Sequence, residues 1–224
     1  MVTSAAPVSA PPPARRGRPR KSVEQRDESE RRADLVRGAA RLFRTQGYAA
    51  TSTRDIAQAA GMQSGSPFYY FESKSALLEA VMQGGMAEAM KSQTAALQAL
   101  GPRPSAQARL RVLIRQHFEV LVGPDSDFIP VMLYEWRSLT PEQRQRIGTQ
   151  KDAYEAVWMP VLSSLRRTGT LTAQPAVARL FIFGALNWTA QWFKPEGALS
   201  LDALTEQAMR LFVRETPQRA QKPT

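Results

Sequence analysis

No cysteine occurs in the 224 residues, and there is a single histidine, His117. Disulfides and thiolate chemistry are therefore excluded, and the usual zinc sites nearly so, since both draw on these residues. Long apolar runs are also missing. Nothing approaches the roughly 18 to 20 residues that span a bilayer, and the N-terminus "MVTSAAPVSAPPPARRGRPRK" has no apolar core ahead of its arginines. The expectation is a cytoplasmic protein without metal or cofactor. Acidic residues are in deficit, 20 against 30 Lys and Arg for a net charge of +10, which favours an anionic partner: nucleic acid or an acidic membrane. Alternating strand patterns are lacking too, so the expected fold class is all-α.

What is present falls into four stretches. Residues 1–28 are mostly Ala, Pro, Ser, Thr and Arg, offer almost no apolar surface, and read as a disordered basic tail. Helical spacing begins near Glu30 with Leu35, Val36, Ala39, Ala40, Leu42 and Phe43, and Gly47 stands where a C-cap glycine would. The spacing predicts a helix over 30–46. Thr51, Ser52 and Thr53 are N-cap candidates for a two-turn helix stopping at Gly61, and Ser73 caps a longer helix towards Leu100, with Gly84 and Gly85 loosening its middle. Five further helices are expected at 105–122, 128–138, 141–168, 175–193 and 200–214, with Pro160 kinking the third of them after Met159. The domain reading is a helix-turn-helix unit over 29–82, a helical domain over 83–215 and a disordered tail over 216–224.

Two short helices around a glycine turn, Thr53 to Tyr70, have helix-turn-helix character. The strings "LFRTQGY", "TSTRDIAQAAG" and "FYYFESKSALL" sharpen it. Together, residues 33–82 resemble the DNA-binding domain of the TetR family of transcriptional repressors. The resemblance implies an N-terminal three-helix DNA-binding domain, then a helical ligand-binding and dimerisation domain, about nine helices in all. It also implies that Thr53 and Arg54 meet the phosphate backbone and that Gln63, Ser64, Gly65 and Ser66 face the major groove. Tyr69, Tyr70 and Lys74 fall at phosphate-contacting positions, whereas Phe71 and Leu78 are expected in the core. The recognition helix carries no Arg or Lys, which favours hydroxyl, amide and shape readout over bidentate guanine contacts. Pro67 fits if Ser64 is the N-cap, because the first turn has no intrahelical use for its N–H.

"RRGRPRK" has the Arg-Gly-Arg-Pro core of an AT-hook, so Arg18 and Arg20 enter the minor groove or add affinity without sequence preference. The C-terminal half is dense in large side chains. Met132, Trp136, Tyr154, Trp158, Trp188 and Trp192, with His117 and Asn187 as polar points, are the candidate ligand contacts. His117 is read either as a hydrogen-bonded core residue or as a pocket residue. The strings "EWRSLTPE", "DAYEAVW" and "NWTAQWFKP" are similar to a TetR branch associated with CoA thioesters. The implied partners are double-stranded operator DNA, a small hydrophobic effector such as an acyl-CoA, and a second copy of the chain, with no membrane role. Dimerisation is expected through helices 175–193 and 200–214, using Ala178, Gly184 and Ala185 and the stripe Leu201, Leu204, Ala208, Leu211 and Phe212. The alternative is a multidrug-sensing repressor of an efflux transporter. An enzyme is not expected, since no nucleophile, base and oxyanion site come together.

Overall fold

The computed structural model describes residues 23–62, 69–123 and 126–214, with side chains from Glu28 onward. Arg18, Arg20, Gln63, Ser64, Gly65, Ser66 and Pro67 lie outside the described residues. Within these, all regular structure is helical: α1 (Val23–Gln46), α2 (Thr53–Ala59), α3 (Lys74–Ala99), α4 (Ala106–Val122), α5 (Phe128–Glu135), α6 (Pro141–Ala156), α7 (Trp158–Arg167), α8 (Pro175–Trp192) and α9 (Leu201–Phe212). A 3-10 turn, Trp136–Ser138, follows α5.

Most starts are set by capping hydroxyls. Ser52, Ser73, Ser105, Thr140 and Ser200 each accept the backbone N–H three residues on, and at Ser52 and Thr140 the third helical residue bonds back to complete a capping box. Four features differ from the expectation. First, α1 begins at Val23, so its first turns occupy residues assigned above to a disordered tail. Glu, Gln and Arg dominate that segment, and all three favour helix.

Second, 141–168 is two helices, broken at Val157 and not kinked after Met159. Pro160 accounts for this: its ring would clash with the carbonyl four residues back, that of Ala156, which is the last residue of α6. In α7 the proline occupies the third position, where no N–H is needed. Third, α5 ends at Glu135 and tightens into the 3-10 turn. Fourth, α3 runs unbroken through Gly84 and Gly85. Gly85 serves packing instead, because a Cβ there would stand 1.9 Å from Cγ of Phe128.

Two apolar clusters result. The first joins Leu35, Ala39 and Phe43 of α1, Ile56 of α2, Phe71, and Leu77, Leu78, Val81 and Met82 of α3. It takes in Val131, Leu139 and Ile147 from beyond α4, so the helix-turn-helix core is continuous with α5 and α6. The second surrounds α4, which packs on α3, α7, α8 and α9 and buries Leu110, Leu113, Ile114, Phe118 and Leu121. Each such side chain removed from water contributes ~1.5–3 kcal/mol. Phe128 and Met132 pack against both clusters, which makes α5 the shared wall between them.

Candidate functional site

The end expected from the sequence to face DNA is built around the turn between α1 and α2. Gly47 takes φ +82°, a left-handed value that favours glycine, and hands the chain to Tyr48. Lys74, the first residue of α3, donates to the carbonyls of Tyr48 and Thr51, each at 2.9 Å, with its ammonium 4.4 Å from the centre of the Tyr48 ring. Lys74, expected at the phosphate backbone, therefore has a first task inside the protein: tying the start of α3 to the turn before α2. Thr53 is the first, half-buried residue of α2, and Arg54 beside it is exposed. Asp55 caps that helix, its carboxylate accepting Ser52 N at 2.9 Å and Ser52 Oγ at 2.6 Å; those two bonds hold its carboxyl below the usual range. Tyr69 is exposed and Tyr70 half-buried, their rings edge-on at 4.9 Å. Phe71 and Leu78 are buried, as expected.

The same turn is bonded to the rest of the molecule. Tyr48 N–H donates to Oε1 of Glu135 at 2.9 Å, and Ser138 Oγ donates to Oε2 of the same carboxylate at 2.8 Å. Arg44, near the end of α1, donates to Asp127 Oδ1 at 2.8 Å and to the Ser126 carbonyl at 3.2 Å. Both ends of α5 are thus fastened to the helix-turn-helix unit. Arg146 of α6 pairs with Glu79 of α3, whose carboxyl that guanidinium holds below its ordinary value.

Four of the expected ligand residues meet in the interior. His117 and Trp158 are fully buried or nearly so, with Tyr154 beside them. His117 Nε2 lies 3.0 Å from Asn187 Oδ1 and Nδ1 lies 3.1 Å from the Tyr154 hydroxyl. Since Oδ1 can only accept, Nε2 carries the proton and Nδ1 accepts from Tyr154. Burial pushes the His117 pKa down to about 4, against a smaller upward pull from Asn187, so the ring is neutral. Burial also raises the Tyr154 phenol. Phe183 stacks edge-on to His117 at 5.1 Å and closes the cluster. Two buried donors here find no acceptor among the described residues, Trp158 Nε1 and Gln93 Nε2. Gln93, beside Tyr154, was not anticipated.

Met132 and Trp136 sit elsewhere, in a groove of about 400 Å³ lined also by Leu133, Tyr134, Arg137 and Lys151. The remaining two, Trp188 and Trp192, are 64% and 49% exposed on the outer face of α8, with Val177, Leu180 and Phe181. They do not line the interior: the buried residues of α8 are Ala178, Ile182, Phe183, Leu186 and Thr189, and neither tryptophan is among them. The expected α9 stripe is also corrected, because Leu204 and Ala208 are buried against α4 and only Leu211 is strongly exposed. Lys151 was not anticipated from the sequence; its spacing to Glu155, one turn on, was the available signal.

The helices around the Gly47 turn, bonded through α5 to a helical body, have the two-part build of a helical transcription regulator. Residues 35–81 match the model for bacterial regulatory proteins of the tetR family, and residues 103–216 match the tetracyclin repressor-like C-terminal domain. The HTH-type transcriptional repressor KstR2 of Rhodococcus jostii is 28% identical, covering 83% of this chain and 91% of the relative. Among solved structures, the superantigen PfiT is 34% identical, covers 83% of this chain and 97% of that one, and has a TM-score of 0.70. AibR in complex with isovaleryl coenzyme A and operator DNA is 26% identical, covers 81% and 97%, and has a TM-score of 0.73. The chain belongs to the TetR family of DNA-binding transcriptional repressors. Among its described residues no helix is long and apolar enough to cross a membrane.

Proposed function

We propose that this repressor acts as a homodimer on a near-palindromic operator and is released by a small hydrophobic effector of the CoA-thioester class. The observation that carries the ligand switch is the bond from Glu135 to Tyr48 N–H. It joins the residue between two groove-lining positions, Tyr134 and Trp136, directly to the turn that sets α2. AibR, complexed with isovaleryl coenzyme A and operator DNA, supports the effector class by likeness. The charged groove residues are Arg137 and Lys151, which suits an anionic effector and disfavours the cationic drugs a multidrug sensor would take.

In this reading Thr53, Arg54, Tyr69 and Tyr70 meet phosphates, while Gln63, Ser64, Gly65 and Ser66 read the major groove. The exposed α8 face, Val177, Leu180, Phe181, Trp188 and Trp192, meets its copy across a two-fold axis. The two recognition helices then lie about one helical turn, ~34 Å, apart. Effector binding favours a dimer that no longer matches this spacing. The test is operator binding, followed by fluorescence anisotropy, with isovaleryl-CoA, octanoyl-CoA and free CoA. A coupling of ~1–3 kcal/mol weakens binding about 5- to 150-fold. Operator affinity indifferent to every thioester would remove the effector class.

A further inference from the structure

The groove between the 3-10 turn and α6 has an apolar floor and a cationic edge. Met132, Leu133 and Trp136 are half-buried in it, and Met132 touches both core clusters, so an occupant would rest on the wall the two clusters share. Arg137 is exposed at its edge and takes part in no ion pair or hydrogen bond among the described residues. Lys151 lies 2.8 Å from Glu155 Oε1, but Arg179 of α8 also pairs with that carboxylate, leaving two cations to one buried acid. Asp152, 3.9 Å from Lys151, is 79% exposed and solvated. The Glu135 carboxylate is turned away, towards Tyr48 and Ser138.

An apolar floor with an unmatched guanidinium at its edge selects a particular chemistry. A neutral hydrophobe would leave Arg137 unused, and a simple anion would gain nothing from the floor. A phosphate or carboxylate can take two parallel N–H bonds from a guanidinium, an arrangement an alcohol lacks. Resting on the effector reading above, we infer that this groove is a binding site for an amphipathic anion, an acyl chain laid on Met132 and Trp136 with its phosphate or carboxylate held by Arg137 and Lys151. The anionic end would then lie within one turn of Glu135, the residue bonded to the helix-turn-helix unit.

Calorimetry on the full chain tests this with octanoyl-CoA, octanoate and octanol, with tryptophan fluorescence as a second readout and Trp136→Phe to assign it. Octanoyl-CoA is expected to bind, to quench Trp136, and to weaken as salt rises; octanol is expected to bind at least about tenfold less tightly. Arg137→Glu should cut octanoyl-CoA affinity about tenfold or more and reduce its salt dependence, Lys151 remaining, with Arg137→Lys intermediate. The unfolding temperature should not change in Arg137→Glu, since the side chain is exposed. Octanoate binding as tightly as the thioester would assign the anion to a carboxylate. Octanoyl-CoA that leaves Trp136 unchanged, as it would if a second copy covered the groove, overturns the inference, and so does equal binding by Arg137→Glu and wild type. If binding depends on Arg137 while operator affinity ignores octanoyl-CoA, the anion site stands and the effector reading falls. If octanoyl-CoA releases the operator equally from wild type and Arg137→Glu, the reverse holds.

Discussion

Tyr48 and Glu135, 87 residues apart in sequence, are joined by a 2.9 Å bond from the backbone N–H of one to the carboxylate of the other. The donor belongs to the turn before α2 and the acceptor to the last residue of α5, so the bond spans the two parts that the proposed ligand switch would couple. Gly47 makes room for it: a Cβ there would lie 3.4 Å from Glu135 Oε1, at a φ that L side chains rarely adopt. Glu135→Ala should cost about 1.5–3 kcal/mol, the range for a bond to a charged acceptor. It should also shrink the ratio of operator affinities without and with octanoyl-CoA, whereas Glu135→Gln, still an acceptor, should keep most of it. Urea unfolding and anisotropy titrations measure the two effects separately. A ratio unchanged in Glu135→Ala would mean that coupling runs elsewhere, through Arg44 and Asp127 for example.

Gly84 and Gly85 are neighbours in α3 with opposite expected responses to alanine. At Gly84 a Cβ meets nothing within 4 Å, so Gly84→Ala should stabilise the chain by about 0.5–1 kcal/mol through helix propensity. At Gly85 the Cβ would stand 1.9 Å from Phe128 Cγ and 2.5 Å from Phe128 Cβ, the rigid base of that side chain. Gly85→Ala should therefore cost about 1–3 kcal/mol, since α3 and α5 must separate. Chemical denaturation of the two variants decides it, and similar midpoints would show that Phe128 can move aside.

The helix starts were legible because a cap is local: Ser73, Ser105, Thr140 and Ser200 sit within three residues of the N–H they satisfy. The break at Val157 was misplaced because the cause is four residues from its effect. Pro160 acts on Ala156, and reading the proline as a kink at its own position puts the break too late. Among the site residues, Trp158 and Trp188 carry the same side chain at helical positions, yet one is 0% and the other 64% exposed. What separates them is which helix covers each face, and neither periodicity nor composition contains that. Gln93 and Lys151 escaped for a related reason, since only assembly sets one beside Tyr154 and the other at the groove.

His117 makes the interior cluster pH-sensitive. Its pKa falls from 6.5 to about 4 on burial, so the unfolded chain binds a proton between those values and the folded chain does not. The contribution is complete above pH 6.5 and is lost as pH falls towards 4, a drop of about 3 kcal/mol at 1.36 kcal/mol per pH unit. His117→Gln removes the titrating group and should flatten stability over this window, whatever its effect at neutral pH. Urea midpoints from pH 7 down to 4 for both proteins test it; parallel curves would show that His117 is not the group responsible.

The outer face of α8 gives the sharpest test of assembly. Phe181 and Trp188 are 72% and 64% exposed, two turns apart on one side of a helix whose opposite side is buried. Contiguous exposed apolar surface of this kind marks an interface. A charge placed there costs the isolated chain little, because the position is already in water, but it costs a dimer the desolvation of an unpaired charge. Phe181→Asp should therefore convert the protein to monomers, seen by light scattering, while leaving the helical circular dichroism intact. Operator affinity should drop at least about tenfold, since one subunit reaches only one half-site. The control is Leu204→Asp on α9, buried at 6% exposure against α4, which should unfold the chain instead of separating intact subunits. A Phe181→Asp protein that remains dimeric would place the two-fold contact on another face and return Trp188 and Trp192 to the list of residues without a role.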